Sequence, residues 1–237
     1  NNVLKNTKNG SIIVFHNKLS TEIKLGKNKV NRDDYLNKIN PLLVNVKKVF
    51  ISESKRHDWD MTGDVILPGL DVNDYGGYRG DYPSVLRVGN LIKERDLMMG
   101  FATGEAILSG LPSITLGLNP HIHGARLSSG FDDLLEQYRS LRVYLHTTSN
   151  DYEDGYNLSL LEAMAVGMPV ISIANKTSPI NDGINGYISS DIQYLRTCAV
   201  RLLDDPNLAN YLGQKARDTV REKFPQIKFL QLWIKSI

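Results

Sequence analysis

Hydrophobic positions along the chain switch period repeatedly between two and about three and a half, so strands and helices should alternate. Residues 1–10 are polar and lack a period. Residues 11–15, Ser-Ile-Ile-Val-Phe, read as a short strand running into His16, and 18–32 as a lysine-rich loop with little core. Asp33 and Asp34 suit the start of a helix that carries Tyr35, Leu36 and Ile39 and ends before Pro41. Residues 48–52 form a second strand, completing a strand–helix–strand unit. Residues 65–72 read as a strand that stops at Pro68-Gly69. Gly76, Gly77 and Gly80 then mark a flexible stretch, and the domain boundary falls here: 1–75, then 76–225, with 226–237 a closing helix.

From Pro83 the alternation is regular. Strands are expected at 84–89, 113–117, 143–146 and 187–189, and helices at 96–108, 131–141, 191–203, 206–224 and 227–234. Between them lies the most informative stretch, 151–170. It reads as an acidic loop, a short helix and a buried strand. Leu158, Leu161 and Ala165 recur at helical spacing, thickened by Leu160 and Met164. Gly167 stands where a left-handed cap is wanted, and Pro169 forbids continuation. The predicted fold class is α/β, an open doubly wound parallel sheet of the Rossmann-like kind, with a reduced N-terminal strand–helix–strand part.

Composition narrows the class. The chain has 237 residues, 41% of them hydrophobic, enough for one large domain or one and a half smaller ones. No apolar run reaches membrane-spanning length and no charged-then-apolar leader opens the chain; its first residue, Asn1, reads as a trimmed start. Cys198 is the single cysteine, which excludes an internal disulfide and makes a reducing, cytoplasmic setting the default. Residues 1–60 hold twelve Lys and Arg against six Asp and Glu, so the acids outnumber the bases by four in the remainder. The lysines are scattered, as on a solvated basic face, which leaves peripheral membrane contact open and gives no reason to expect nucleic acid.

Ligands of a doubly wound sheet bind beyond the carboxyl ends of its strands. The loops that land there are 89–96, the loop after Leu116, and the acidic loop after His146. In the last, the backbone amides of Gly155, Tyr156 and Asn157 at the helix start suit an anion. Ser159-x-x-Glu162 is also the spacing of a capping box, so Glu162 has a structural reading beside a chemical one. By spacing alone Arg95, in a Lys-Glu-Arg-Asp run, reads first as a surface charge and only second as a phosphate ligand. His121-x-His123 lacks a third ligand of suitable spacing for zinc, and no metal site is expected. Asp58-Trp59-Asp60 follows Lys55-Arg56-His57 and reads as surface.

The residues Asp154-Gly155-Tyr156-Asn157-Leu158, then Glu162-Ala163-Met164-Ala165, Gly167 and Pro169-Val170, resemble a donor-site signature. It is that of retaining, nucleotide-sugar-dependent glycosyltransferases of the GT-B fold, glycosyl transferases group 1 or family 4 type. Their usual pattern is Glu-Gly-Phe-Gly-Leu, three residues, Glu-Ala-Met-Ala, a Gly and Pro-Val. Asp154 replaces the first Glu, Tyr156 the aromatic and Asn157 the second Gly. Gly89-Asn90-Leu91 to Arg95 resembles the family's Gly-Arg-Leu, three residues, Lys-Gly, with Asn90 at the Arg position, Arg95 at the Lys position and Lys93 a second cation within reach.

The resemblance implies a transferase moving a sugar from a UDP- or GDP-linked donor to an acceptor, with retention and without a metal or other cofactor. It implies Asp154, Glu162 and Arg95 as catalytic residues: Asp154 facing the sugar, Glu162 on the ribose hydroxyls, Arg95 on the diphosphate. Gly89, Asn90, Lys93, Gly124, Gly155, Tyr156, Asn157 and Leu158 complete the donor contacts, Gly124 in a loop lining the nucleobase. His16 matches a polar position near the sugar. The acceptor, whether glycan, lipid-linked or protein, is not specified. With the first domain reduced, a longer form or a partner chain is expected to supply the acceptor wall. The alternatives are a nucleotide-sugar-binding module without transferase activity, and a GT-B epimerase.

Overall fold

A computed structural model describes residues 12–15, 22–25, 28–150 and 156–236. They form two compact units: one of the described residues up to Leu67 with Tyr156 and 231–236, the other of 68–150 and 157–230.

The first unit begins with β1 (Ile12–Phe15), β2 (Glu22–Leu25), β3 (Asn28–Asn31) and α1 (Arg32–Ile39). It continues with β4 (Lys47–Phe50), α2 (Glu53–Trp59) and β5 (Asp64–Val65). Strands β1, β4 and β5 pair in parallel in that order. Ile39, Leu43, Val46 and Phe50 make a small core, covered by Tyr35, Leu36 and Trp59. Three expectations change here. The loop 18–32 contains an antiparallel hairpin, β2 with β3, that uses few apolar residues. The strand expected at 65–72 shrinks to two residues, and Leu70 beyond Pro68-Gly69 bridges Pro225 in the second unit instead. Asp58-Trp59-Asp60 closes a helix the periodicity did not announce. Ser52 caps its start by accepting from the Lys55 amide, and Asp60 ends it at φ 50°.

The second unit contains β6 (Tyr82–Val88), α3 (Asp96–Met99), α4 (Phe101–Leu108), β7 (Ser113–Leu116), α5 (Phe131–Ser140) and β8 (Leu141–His146). It goes on with α6 (Leu158–Val166), β9 (Val170–Ile173), β10 (Tyr187–Ser189), α7 (Ile192–Asp204) and α8 (Pro206–Lys223). α9 (Gln226–Ser236) starts here, and its last turns belong to the first unit. Five strands pair in parallel in the order β10-β9-β8-β6-β7. Because β7 lies on one side of β6 and β8 on the other, the topological switch point falls between β6 and β8.

Val85, Val143, Leu145 and Ile171 pack with Ile107, Leu108, Leu195, Cys198 and Leu202 of α4 and α7. By strand alternation Leu86, Tyr144 and His146 face the other way, where Tyr138 of α5 meets Tyr144 at 6.0 Å between ring centroids. The helix expected over 96–108 is two helices. Gly100 at φ 63° parts them, and a Cβ there would stand 2.3 Å from the Thr147 carbonyl oxygen.

α6 obeys its sequence signals at both ends. Asn157 caps its start, Oδ1 accepting from the Leu160 amide at 3.1 Å. At its end the Met168 amide reaches the Ala163 carbonyl and the Gly167 amide the Met164 carbonyl, each at 3.0 Å, with Gly167 at φ 97°. This is the Schellman pairing. Gly213 of α8 passes so close that a Cβ on it would lie 1.8 Å from the Gly167 oxygen.

Candidate functional site

The carboxyl ends of β6 and β8 and the start of α6 surround the switch point. The loop after β6 is held by the loop after β7. Gly89 accepts from Asn119 Nδ2 at 2.8 Å, Asn119 Oδ1 accepts from the Ile92 amide at 2.8 Å, and the Leu91 amide reaches the Leu118 carbonyl at 2.8 Å. Leu91 is left-handed, φ 54°, an unfavourable backbone for a branched side chain that this lacing enforces. Asn90 Oδ1 accepts from the Leu118 amide at 2.8 Å, so at this position the side chain serves the loop's own shape.

Arg95 stands at the start of α3 with an exposed side chain that makes a weak 3.5 Å approach to Met98 Sδ. Among the described residues no carboxylate pairs with it. Lys93 behaves differently: its ammonium lies over the Phe101 ring at 5.7 Å. It borders a cleft of about 430 Å³ with Gly124, His121, His123, Arg87 and Glu105. Lys93 and Gly124 therefore line the same cleft, on the α4 side of the sheet's β7 edge. In the same cleft the buried Arg87 pairs with Glu105 at 2.8 Å, and His121 pairs with Glu94.

On α6 the cap is Asn157, so Ser159 and Glu162 are not a capping box. Glu162 Oε2 instead accepts from the Tyr138 hydroxyl at 3.2 Å, and Ser159 sits beside the same hydroxyl. Burial holds Tyr138 well above the ordinary phenol range, so it is the donor. Burial raises the Glu162 carboxyl, and the Tyr138 bond partly offsets this. Tyr75 lies near the same carboxylate; burial, then the Glu162 charge, push it up to about 12. It packs edge-on against Phe131 at 6.0 Å, and Phe131 opens the helix that carries Tyr138.

The first amides of α6, at Leu158 and Ser159, have no intrahelical acceptor, and the Leu158 side chain is exposed. Tyr156 is half-buried just before the cap. Asp154, Gly155 and His16 lie outside the described residues. Sequence reasoning missed Tyr138, Tyr75 and His146. Tyr138 had a signal, two helical turns after Phe131, and so did His146, the polar end of an otherwise apolar strand.

Residues 103–205 match the family model described as Glycosyl transferases group 1. The chain is 32% identical over 95 residues to a poly(ribitol-phosphate) alpha-N-acetylglucosaminyltransferase of Staphylococcus aureus, covering 38% of this chain and 19% of that protein. It is 29% identical over 116 residues to an N-acetyl-alpha-D-glucosaminyl L-malate synthase of Bacillus anthracis, covering 47% of this chain and 30% of that one. The aligned stretches thus span less than a third of either relative. Among solved structures, Anabaena HepE in complex with UDP-glucose superposes with a TM-score of 0.74 at 14% identity, over 95% of this chain and 71% of that one.

Proposed function

We propose that this chain, which has the GT-B glycosyltransferase fold and matches the group 1 glycosyl transferases over residues 103–205, binds a nucleoside diphosphate sugar at the β6–β8 crevice and transfers the sugar with retention of configuration. The observation that carries this reading is the Glu162 carboxylate. One oxygen is fixed by Tyr138, leaving acceptor capacity in a half-buried carboxylate beside a switch point. Vicinal ribose hydroxyls are two donors that such a group matches.

In this reading Arg95, a cation without a carboxylate partner among the described residues, and the unmatched amides at the start of α6 would take the diphosphate. Charge fixed in advance where the leaving group gathers negative charge lowers the barrier without reorganisation. The resemblance gives Asp154 the sugar-facing role, where a carboxylate would stabilise positive charge at the anomeric carbon. The leaving diphosphate would help deprotonate the acceptor hydroxyl on the same face. N-acetylglucosamine figures in the names of both curated relatives and UDP-glucose in the HepE complex, so UDP-sugars are the first donors to test.

A thermal-shift series with UDP, GDP, UDP-glucose and UDP-N-acetylglucosamine tests binding. A ligand at a hundred times its Kd stabilises by about 2.7 kcal/mol. No shift with any nucleotide at millimolar concentration would remove the donor site. The anomeric configuration of the product, read by NMR, tests retention; an inverted product would sink that half of the reading.

A further inference from the structure

His146, the last residue of β8, is a buried group that the donor contacts above do not use. Its Nδ1 lies 3.4 Å from the Ser172 hydroxyl, and that hydroxyl spends its own proton on the Ile173 carbonyl at 2.9 Å. Ser172 therefore accepts, Nδ1 carries the imidazole proton, and Nε2 presents a lone pair. Burial keeps the ring neutral, its pKa pushed down to about 4. Among the described residues Nε2 has no hydrogen-bond partner, a condition folded proteins rarely leave without a purpose.

The histidine borders a small cavity, about 20 Å³, with Val88, Ile92, Thr148 and Asn157. These residues mark the carboxyl ends of β6 and β8 and the start of α6, so the cavity lies at the switch point itself. It has room for roughly one oxygen atom with its hydrogen. Asn157 Oδ1 accepts from the Leu160 amide, which orients the side chain and leaves Nδ2 as an amide donor. A lone pair and an amide donor among the residues lining the cavity would be matched by a hydroxyl, which donates once and accepts once. A phosphate or carbonyl oxygen has no proton to give Nε2.

We propose that His146 is a specificity-determining residue of the donor site, its Nε2 accepting a hydrogen bond from a hydroxyl of the transferred sugar. This rests on the donor-site reading above. The same chemistry would bind a lone water, and the experiment separates the two sources.

Calorimetry on the full chain compares UDP, the tightest-binding UDP-sugar and its monodeoxy analogues, for the wild type and for His146→Leu. A neutral hydrogen bond corresponds to about three- to tenfold in affinity. His146→Leu should lower UDP-sugar affinity by that factor and leave UDP within twofold. In the wild type one deoxy position should show the same loss, and in His146→Leu that position should become indifferent. Equal UDP-sugar affinity in wild type and variant would mean a water only, and overturn the proposal. An equal loss for UDP and UDP-sugar would overturn it too, placing His146 in the scaffold. A wild type that binds UDP yet ignores every deoxy position overturns this proposal alone, without recourse to a variant that must fold. A wild type that binds no nucleotide overturns the donor-site reading and this inference with it.

Discussion

The Tyr138 hydroxyl donates to Glu162 Oε2 at 3.2 Å, tying α5 to α6 through the acid proposed here to hold the ribose. The bond lets the Ser159-x-x-Glu162 spacing be understood: both side chains attend a buried phenol, and Asn157 does the capping. It also fixes the orientation of a carboxylate that burial would otherwise favour protonated.

Glu162→Gln should therefore lower UDP affinity by about tenfold, the worth of a charged-acceptor hydrogen bond. Melting should not suffer. The Glu162 carboxyl binds its proton more tightly folded than unfolded, so its ionisation opposes folding as pH rises past the ordinary carboxylate range, and glutamine removes that penalty. Calorimetry, with melting at pH 5 and pH 8, checks both halves; unchanged UDP affinity would end the ribose assignment.

Arg95→Ala should cost about ten- to a hundredfold in nucleoside diphosphate affinity, from roughly 1.5–3 kcal/mol for a hydrogen bond to a charged group. Uridine, with no phosphate, should bind the variant as it binds the wild type. Stability should stay within about 0.5 kcal/mol, since the exposed guanidinium pairs with no carboxylate among the described residues. Equal losses for uridine and UDP would count against a phosphate role.

His146 makes the fold acid-sensitive in a defined window. Its pKa is about 4 in the folded chain against about 6.5 unfolded, so the unfolded state binds the extra proton first. The full contribution stands above pH 6.5 and is lost as pH falls towards 4, in total about 3 kcal/mol. Urea unfolding at pH 7, 5.5 and 4 should show this slope, and His146→Leu should flatten it. A variant with the wild-type slope would place the acid sensitivity elsewhere.

Gly213→Ala should destabilise by at least about 2 kcal/mol, because its Cβ would stand 1.8 Å from the Gly167 backbone oxygen, where no side chain can give way. Gly130→Ala is the control. A Cβ there meets nothing within 4 Å, and melting should barely move. Similar melting for the two would mean that α6 and α8 separate at no cost.

The second unit was largely legible because its signals are redundant. Gly167 and Pro169 end α6, Asp191 and Asp205 cap α7 and α8, and apolar runs mark each strand. What was hidden depended on contacts between distant segments. Gly100 breaks a periodic helix only because Thr147 comes close, and Tyr138 and His146 acquire meaning only once α6 and β9 are beside them. In the first unit the hairpin of β2 and β3 escaped because Ile23, Leu25 and Val30 are too few to show a period. The short helix after Ser52 is mostly charged and shows no apolar stripe.

Gly89, Arg95, Leu158 and Glu162 belong to one compact unit, and of the described donor-site candidates Tyr156 alone is grouped with the other, so nucleoside diphosphate binding should depend little on the integrity of that other unit. Phe50 tests this. It is fully buried in the first unit's small core, where truncation to alanine costs about 3–5 kcal/mol. Among the described residues that core has few apolar members, so the loss should loosen the first unit. Phe50→Ala should bind UDP within about threefold of the wild type. Calorimetry with UDP on wild type and variant reads this directly. A tenfold loss of UDP affinity in Phe50→Ala would show that the donor site draws on both units.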